Sequence, residues 1–289
     1  MYKIAILGCE NSHADAFLGL IKDGLYPDVE VIGVYTNEPE AEKRMQDNFG
    51  VYCARSYDEF VGKVDGIVIT ARDGRNHYKY AKPYIASGIP MFIDKPITSD
   101  EAEAVTFMKD LKSHGCRVVG GSSCPHAPLL ATLRAAIASG ECGKVYGGYY
   151  RAPISMTNNY GNFYFYAQHL AEVLESVHGF DPTSVAAHAN GNVITGTVRY
   201  PECDVNFEYV DGNYIYGAYI STEKGIIGGE YPITGDLYPI EFDGFYKLLC
   251  GEAQSVSYED FMAPVRLLCA IDRSLASGKE EAVTPATVI

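Results

Sequence analysis

The sequence predicts a two-part α/β protein, with an N-terminal doubly wound parallel sheet followed by an α+β part built on an open, mostly antiparallel sheet. Over the first 120 residues, short apolar runs alternate with amphipathic stretches closed by glycine, the rhythm of right-handed β-α-β units. Those apolar runs lack polar alternation, as strands buried on both faces do. Beyond residue 120 the runs come in quick succession, separated by the turn dipeptides Asn190-Gly191, Asp211-Gly212 and Lys224-Gly225. The expected division is therefore a Rossmann-like domain over 1–120 and an α+β substrate and dimerisation domain over 121–289, the last segment of which can pack back on the first.

Each element has a local reason. "KIAILG" is a strand ending at Gly8, and "HADAFLGLIKDG" a helix with Phe17, Leu18, Leu20 and Ile21 clustered on it. "VEVIGVYT" is a second strand, "PEAEKRMQDNFG" a helix closed by Gly50, and "DGIVIT" a third strand. "HYKYAKPYIASG" and "PMFID" continue the alternation. "SDEAEAVTFMKDLKSHG" opens on a Ser99/Asp100 cap with an acidic first turn and stops at Gly115, and "CRVVGG" is a fifth strand. In the second part, "PLLATLRAAIASGECG" and "FYFYAQHLAEVLESVHG" read as helices. "TSVAAHA", "NVITGTVRY", "DVNFEYV", "YIYGAYIST" and "GIIGGEY" read as strands, and "SYEDFMAPVRLLCAIDRSLASG" as a closing amphipathic helix.

Composition bounds the function. With 289 residues the chain exceeds the usual single-domain length, and no apolar run is long enough to span a bilayer. A net charge of −14 argues against nucleic acid, whose binding relies on Lys and Arg. The charge is uneven: residues 1–120 carry 14 basic against 18 acidic side chains, the remainder 9 against 19. A strongly anionic substrate is therefore not expected in the second part. The eight cysteines are scattered without a C-x-x-C pair, which fits buried thiols in a reducing compartment, and a cytoplasmic location is expected.

In an open parallel sheet a ligand sits beyond the carboxyl ends of the strands, at "GCENSH", at Thr36-Asn37 and at "DKP". The first departs from the dinucleotide pattern G-x-G-x-x-G, with Glu10 and His13 where the second and third glycines would stand. A carboxylate there opposes a pyrophosphate. Asn11 or Ser12 caps the helix that follows, and a capped helix still offers N–H groups to an anion. The second strand ends without the directly following acid that accepts from NAD's ribose, and without a nearby cation for a 2′-phosphate, so NAD and NADP are not separated.

Taken in order, "DGIVIT", "NHYKYAKPYIASG", "PMFIDKPI", "SDEAEAVTFMKDLKSHGCRVVGG" and a helix running into "ASGECGKVYGG" resemble the Gfo/Idh/MocA family of NAD(P)-dependent oxidoreductases. The resemblance covers residues 2–150 almost continuously and resumes in "SYEDFMAPVRLLCAIDRSLASGKEEAV". It implies a cofactor site from Gly8, Asn11, Ser12, Thr36, Asn37, Thr70, His77, Asp94 and Lys95. The family's E-K-P is here Asp94-Lys95-Pro96, and Lys95 would polarise the substrate oxygen. Its D-x-x-x-H helix aligns His169 with the histidine but Phe165 with the aspartate, with Glu172 on the same helical face. His169 would relay the proton, with Tyr164 or Tyr166 as a substitute donor. Where the family has an arginine before a proline, this chain reads "SSCPHAP", which brings His126 towards the substrate and puts Cys124 at the arginine position without a placed base.

The expected function is an NAD(P)-dependent dehydrogenase or reductase acting on a hydroxyl or carbonyl of a sugar-like or cyclitol substrate, in a homo-oligomer (dimer or tetramer). The alternative is a member impaired in cofactor binding, acting as a small-molecule-binding or regulatory protein or a non-redox acid/base enzyme. A metal site built from Glu10, His13, Asp94, His169 or Glu172 lacks ligand spacing, and none is expected.

Overall fold

The protein is described by a computed structural model covering residues 1–286. Five parallel strands, β1 (Tyr2–Leu7), β2 (Val29–Tyr35), β3 (Gly66–Ile69), β4 (Met91–Asp94) and β5 (Val118–Gly121), form a sheet in the order β2-β1-β3-β4-β5. The chain moves outward from β1 in one direction and then returns to continue in the other. That reversal puts the ligand crevice outside the carboxyl ends of β1 and β3.

Four helices connect these strands: α1 (Ser12–Lys22), α2 (Pro39–Phe49), α3 (His77–Ile85) and α4 (Glu101–Ser113). Asn11 caps α1 and Asp100 caps α4 through their side-chain oxygens, while Gly50 ends α2 in the left-handed conformation. Ile4, Ile6, Val68 and Phe92 face α1 through Ala14 and Phe17; Ala5, Leu7, Ile67 and Ile93 face α3 and α4 through Tyr80, Tyr84, Phe107 and Leu111. Both faces are apolar because both are covered.

The second part begins with α5 (Pro128–Ala138), β6 (Val145–Ile154) and α6 (Phe163–His178). It continues through β7 (Ser184–Asn190), β8 (Val193–Arg199), β9 (Asp204–Asp211), β10 (Tyr216–Thr222) and β11 (Gly225–Tyr231). Then come α7 (Tyr238–Leu249), α8 (Tyr258–Phe261), α9 (Ala263–Ser277) and β12 (Glu281–Ala282). Its seven strands run β11-β10-β6-β9-β8-β7-β12, antiparallel except for the central β6/β9 pair. The core lies between one face of this sheet and α5, α6 and α9, with Tyr150, Phe207 and Tyr209 meeting Leu170, Leu174 and Leu267. The other face is open and carries Tyr149, Tyr219 and the Arg151–Glu208 ion pair.

Two elements were not expected. β6 reads "VYGGYYRAPI", and its adjacent glycines conceal a strand. α7 follows a proline- and glycine-rich turn and contains Gly244, where an added Cβ would lie 3.1 Å from a methyl of Val119. That glycine lets α7 press onto β5, and Phe242, Phe245 and Leu249 join Ile4, Phe17 and Phe92 in one core. The closing helix is also two helices, α8 and α9, and Phe261, Met262 and Val265 at their junction cover the opposite face of the parallel sheet. The second part of the chain thus clamps both faces of the first.

Candidate active site

The end of β1 is latched to the end of β3. Gly8 adopts φ +85°, and an added Cβ would stand 2.3 Å from the Ala71 backbone. Thr70 Oγ1 donates to the Gly8 carbonyl at 2.6 Å, fully buried. His77 is likewise sealed, one ring nitrogen 2.8 Å from the Ala71 carbonyl. Thr70 and His77 therefore shape the floor of the crevice and cannot touch a cofactor, which corrects the sequence expectation for both.

Glu10 does not block the crevice head-on. Its carboxylate turns sideways, accepting from Thr36 Oγ1 at 2.7 Å and, weakly, from the Arg72 backbone N–H at 3.4 Å. It lines a polar cavity of about 200 Å³ with Asn37, Glu38, Arg72, Asp73 and Tyr160. Tyr160 comes from the loop between β6 and α6; its hydroxyl accepts from Arg72 Nη1 at 2.8 Å while the guanidinium lies over its ring. Asn158 shapes this loop by accepting the Tyr160 and Asn162 backbone N–H groups. A loop of the second part thereby reaches the rim of the cavity at the carboxyl ends of β1, β2 and β3.

His13 points inward rather than at the crevice. Its Nδ1 lies 3.2 Å from Asp94 and its Nε2 3.4 Å from Glu241 on α7. Burial alone would lower its pKa, but the two carboxylates outweigh burial and raise it. Asp94 is fully buried and receives Asn11 Nδ2 at 2.8 Å and the Lys95 backbone N–H at 2.7 Å. Asp94 is thus a positioning group beneath Lys95, not a cofactor contact as expected. Glu241 was invisible to sequence reasoning because its helix was.

Lys95 and His169 come together from the two parts of the chain, each 6 % exposed. The Lys95 ammonium lies 5.2 Å from the Phe165 ring centroid and 5.5 Å from that of Tyr166. It has no ion-pair partner among the described residues, so aromatic faces stand where the family pattern has a carboxylate. The loop bearing Lys95 is tied to α6 by Gln168, which accepts the Ile97 N–H at 3.0 Å. His169 packs against Tyr166 with its centroid 4.7 Å away, and its Nδ1 is 2.6 Å from Ser122 Oγ. Burial, with Lys95 and His13 adding positive charge, holds the His169 pKa well below its ordinary value.

Other expected substrate residues lie elsewhere. Tyr164 turns to α9, donating to Asp272 at 3.1 Å. His126 and Glu172 line a separate cavity of about 230 Å³ between the end of β5 and the start of α9. A base does lie beside Cys124, contrary to expectation, since Sγ is 3.3 Å from His169 Nδ1; burial nevertheless pushes the thiol up to about 12, which keeps it protonated. Among the described residues no group of three or more His, Cys, Asp and Glu is placed to hold a metal ion, and no helix is long and apolar enough to cross a membrane.

Glu172 carries a stability consequence. Burial raises its carboxyl to about 7, against lowering by the Gln168 amide and the Ser122 N–H. A carboxyl raised on folding holds its proton in the native state after the unfolded chain has lost it, so stability falls as pH rises from about 4.5 to about 7. The penalty is on the order of 3 kcal/mol. Glu172→Gln is expected to gain stability relative to the parent as pH rises from about 5 to 8. Melting temperatures across that range check it; a difference independent of pH contradicts it.

The sequence pattern of the oxidoreductase family with an NAD-binding Rossmann fold, Gfo/Idh/MocA, matches residues 2–122. The N-terminal part of the chain carries this family's pattern. No curated protein matches it by sequence. A myo-inositol dehydrogenase from Corynebacterium glutamicum superposes with a TM-score of 0.84 at 18% identity, covering 99% of this chain and 100% of that one. A scyllo-inositol dehydrogenase from Lactobacillus casei, solved with NAD(H) and scyllo-inositol, superposes at 0.84 with 13% identity over 98% and 99%. An NAD-binding oxidoreductase from Klebsiella pneumoniae gives 0.78 at 16% identity over 98% and 99%. At these identities the structural likeness establishes the fold of both parts of the chain and nothing of its chemistry.

Proposed function

We propose that the chain is an NAD(H)-dependent oxidoreductase acting on a hydroxyl or carbonyl of a sugar-like or cyclitol ring. The observation that carries this is the meeting of Lys95 and His169 beyond the end of β4, a short step from the crevice at β1 and β3. Such a pair can hold a substrate oxygen and exchange its proton, and a bound nicotinamide would supply the hydride acceptor or donor. Phe165 and Tyr166 add flat apolar faces with a hydroxyl tip, which suit a polyhydroxylated ring. The bound scyllo-inositol of the Lactobacillus casei neighbour agrees with this substrate class.

The residues at the crevice fit a dinucleotide. Ser12 leaves the amino end of α1 at the surface, where an anion is favoured, and Glu10 and Asn37 offer acceptors for ribose hydroxyls near the ends of β1 and β2. Glu10 then takes the part of the missing acid after β2. Of the three departures that motivated the non-redox alternative, Glu10 and His13 are turned towards Thr36 and Glu241, and Glu10 stands in for the acid missing after β2, which leaves Phe165 alone on that side. The open face of the seven-stranded sheet is the proposed dimer face.

Charge at the cavity favours NAD over NADP. A 2′-phosphate would enter a cavity bearing Glu10, Glu38 and Asp73, with Arg72 already engaged by Tyr160. NADH is expected to bind at least about tenfold more tightly than NADPH, a gap of about 1.4 kcal/mol, and Glu10→Gln to narrow it. Titration of the full chain, following dinucleotide emission, measures both. Equal affinities would remove the part given to Glu10, and no saturable binding of either would remove the dehydrogenase reading.

A further inference from the structure

His169 is held at one nitrogen only. Nδ1 faces Ser122 Oγ and Cys124 Sγ, while Nε2 has no partner among the described residues. The direction of the Nδ1 bond follows from the donors around it. Ser122 is buried, and its oxygen already accepts the Cys124 backbone N–H at 3.1 Å. Its hydroxyl hydrogen still needs an acceptor, because buried donors are costly to leave unpaired. His169 Nδ1, 2.6 Å away, is the strong acceptor in reach, the Cys124 thiol being a weak one. A hydrogen on Nδ1 would leave the Ser122 hydroxyl only the weak thiol acceptor in place of the imidazole nitrogen.

We propose that Ser122 fixes His169 as the neutral Nε2–H tautomer, so that His169 donates a hydrogen bond to the substrate oxygen while Lys95 Nζ exchanges the proton. The proposal rests on the dehydrogenase reading of the site and reverses the relay that the family resemblance assigns to the histidine. The reversal follows from Phe165. A carboxylate at that position would draw a hydrogen onto the imidazole, whereas the Phe165 ring cannot, and Ser122 supplies a donor where an acceptor would have been.

The surroundings keep the ring neutral. Lys95 faces it from the loop after β4, and His13 from α1, itself paired with Asp94 and Glu241; Glu172 lies one turn along α6, and Cys124 and Tyr166 are uncharged neighbours. A neutral ring whose Nδ1 lone pair is occupied has no site at Nε2 for another proton. When a carbonyl is reduced, its oxygen gains a proton from the Lys95 ammonium, and His169 keeps its Nε2 hydrogen throughout; in the reverse direction the Lys95 amine takes the hydroxyl proton. Ser122 is a positioning residue in this scheme, since it acts through His169.

The test is the tautomer itself, read by two-bond proton–nitrogen correlation on the full chain labelled with ¹⁵N at its seven histidines. His169 is assigned by the signals lost in His169→Gln. The expected spectrum shows an unprotonated Nδ1 and a protonated Nε2 that do not titrate between about pH 5 and 8. Ser122→Ala is expected to lose that bias and Ser122→Thr to restore it. A protonated Nδ1 in the parent, a ring that titrates near its ordinary value, or an unaltered His169 signal in Ser122→Ala overturns the proposal. Dinucleotide titration on the same sample separates the two readings. This tautomer without NADH binding overturns the dehydrogenase reading and the role given to Lys95, whereas NADH binding with a protonated Nδ1 overturns the tautomer proposal alone.

Discussion

Lys95→Met is expected to lower turnover by about a thousandfold while leaving the fold intact. General acid–base groups contribute roughly 10²–10⁴ to rate, and the proposed chemistry makes Lys95 the proton-exchanging group. The ammonium is buried against Phe165 and Tyr166 rather than bound to a carboxylate. A methionine keeps the aliphatic stem and packs on the same aromatic faces, so no unpaired buried charge is left behind. Steady-state rates with saturating NAD and a cyclitol such as scyllo-inositol give the effect, and the melting temperature controls for unfolding. A variant of parental turnover would remove Lys95 from the chemistry.

Gly8→Ala is expected to cost the largest share of stability of any small substitution in the crevice. The left-handed φ alone costs a non-glycine residue about 1–2 kcal/mol. Beyond that, the new Cβ would stand 2.3 Å from Ala71 Cα and N, backbone atoms that the Thr70–Gly8 hydrogen bond holds in place. Relief requires separating the ends of β1 and β3, so the total should exceed about 4 kcal/mol. Gly24→Ala is the control: its φ is +82°, but the added Cβ meets nothing within 4 Å, and only the cost of about 1–2 kcal/mol remains. Thermal or urea unfolding of the two variants compares them directly. Equal losses would show that backbone conformation, not contact with β3, makes Gly8 necessary.

The parallel sheet was legible because its strands are buried on both faces and its helices are punctuated by caps and glycines, as at Asp100 and Gly50. The Asp94-Lys95-Pro96 segment and His169 could be paired only through the family pattern, since nothing local marks either as facing the other. What escaped was decided by distant partners. His13 reads as a defect of a glycine loop until Glu241 is in place, and Glu241 sits on a helix whose Gly244 looks like a breaker but admits Val119. Ser122 carries no sequence signal at all, because its part depends on the direction of one hydrogen bond to a histidine on another element. Thr70 and His77 were misplaced for the opposite reason: position after a strand suggested access, and packing denied it.

The proposed function requires the crevice and the Lys95–His169 pair to form one oxidoreductase site. The most direct test is the appearance of reduced nicotinamide absorbance when the full chain is mixed with NAD and each of a panel of cyclitols and aldoses. The expected result is reduction with at least one ring polyol, abolished in Lys95→Met although that variant still binds NADH. Saturable NADH binding with no reduction on any member of the panel and no reoxidation of NADH by the corresponding ketones, or equal rates for the parent and Lys95→Met, would contradict it.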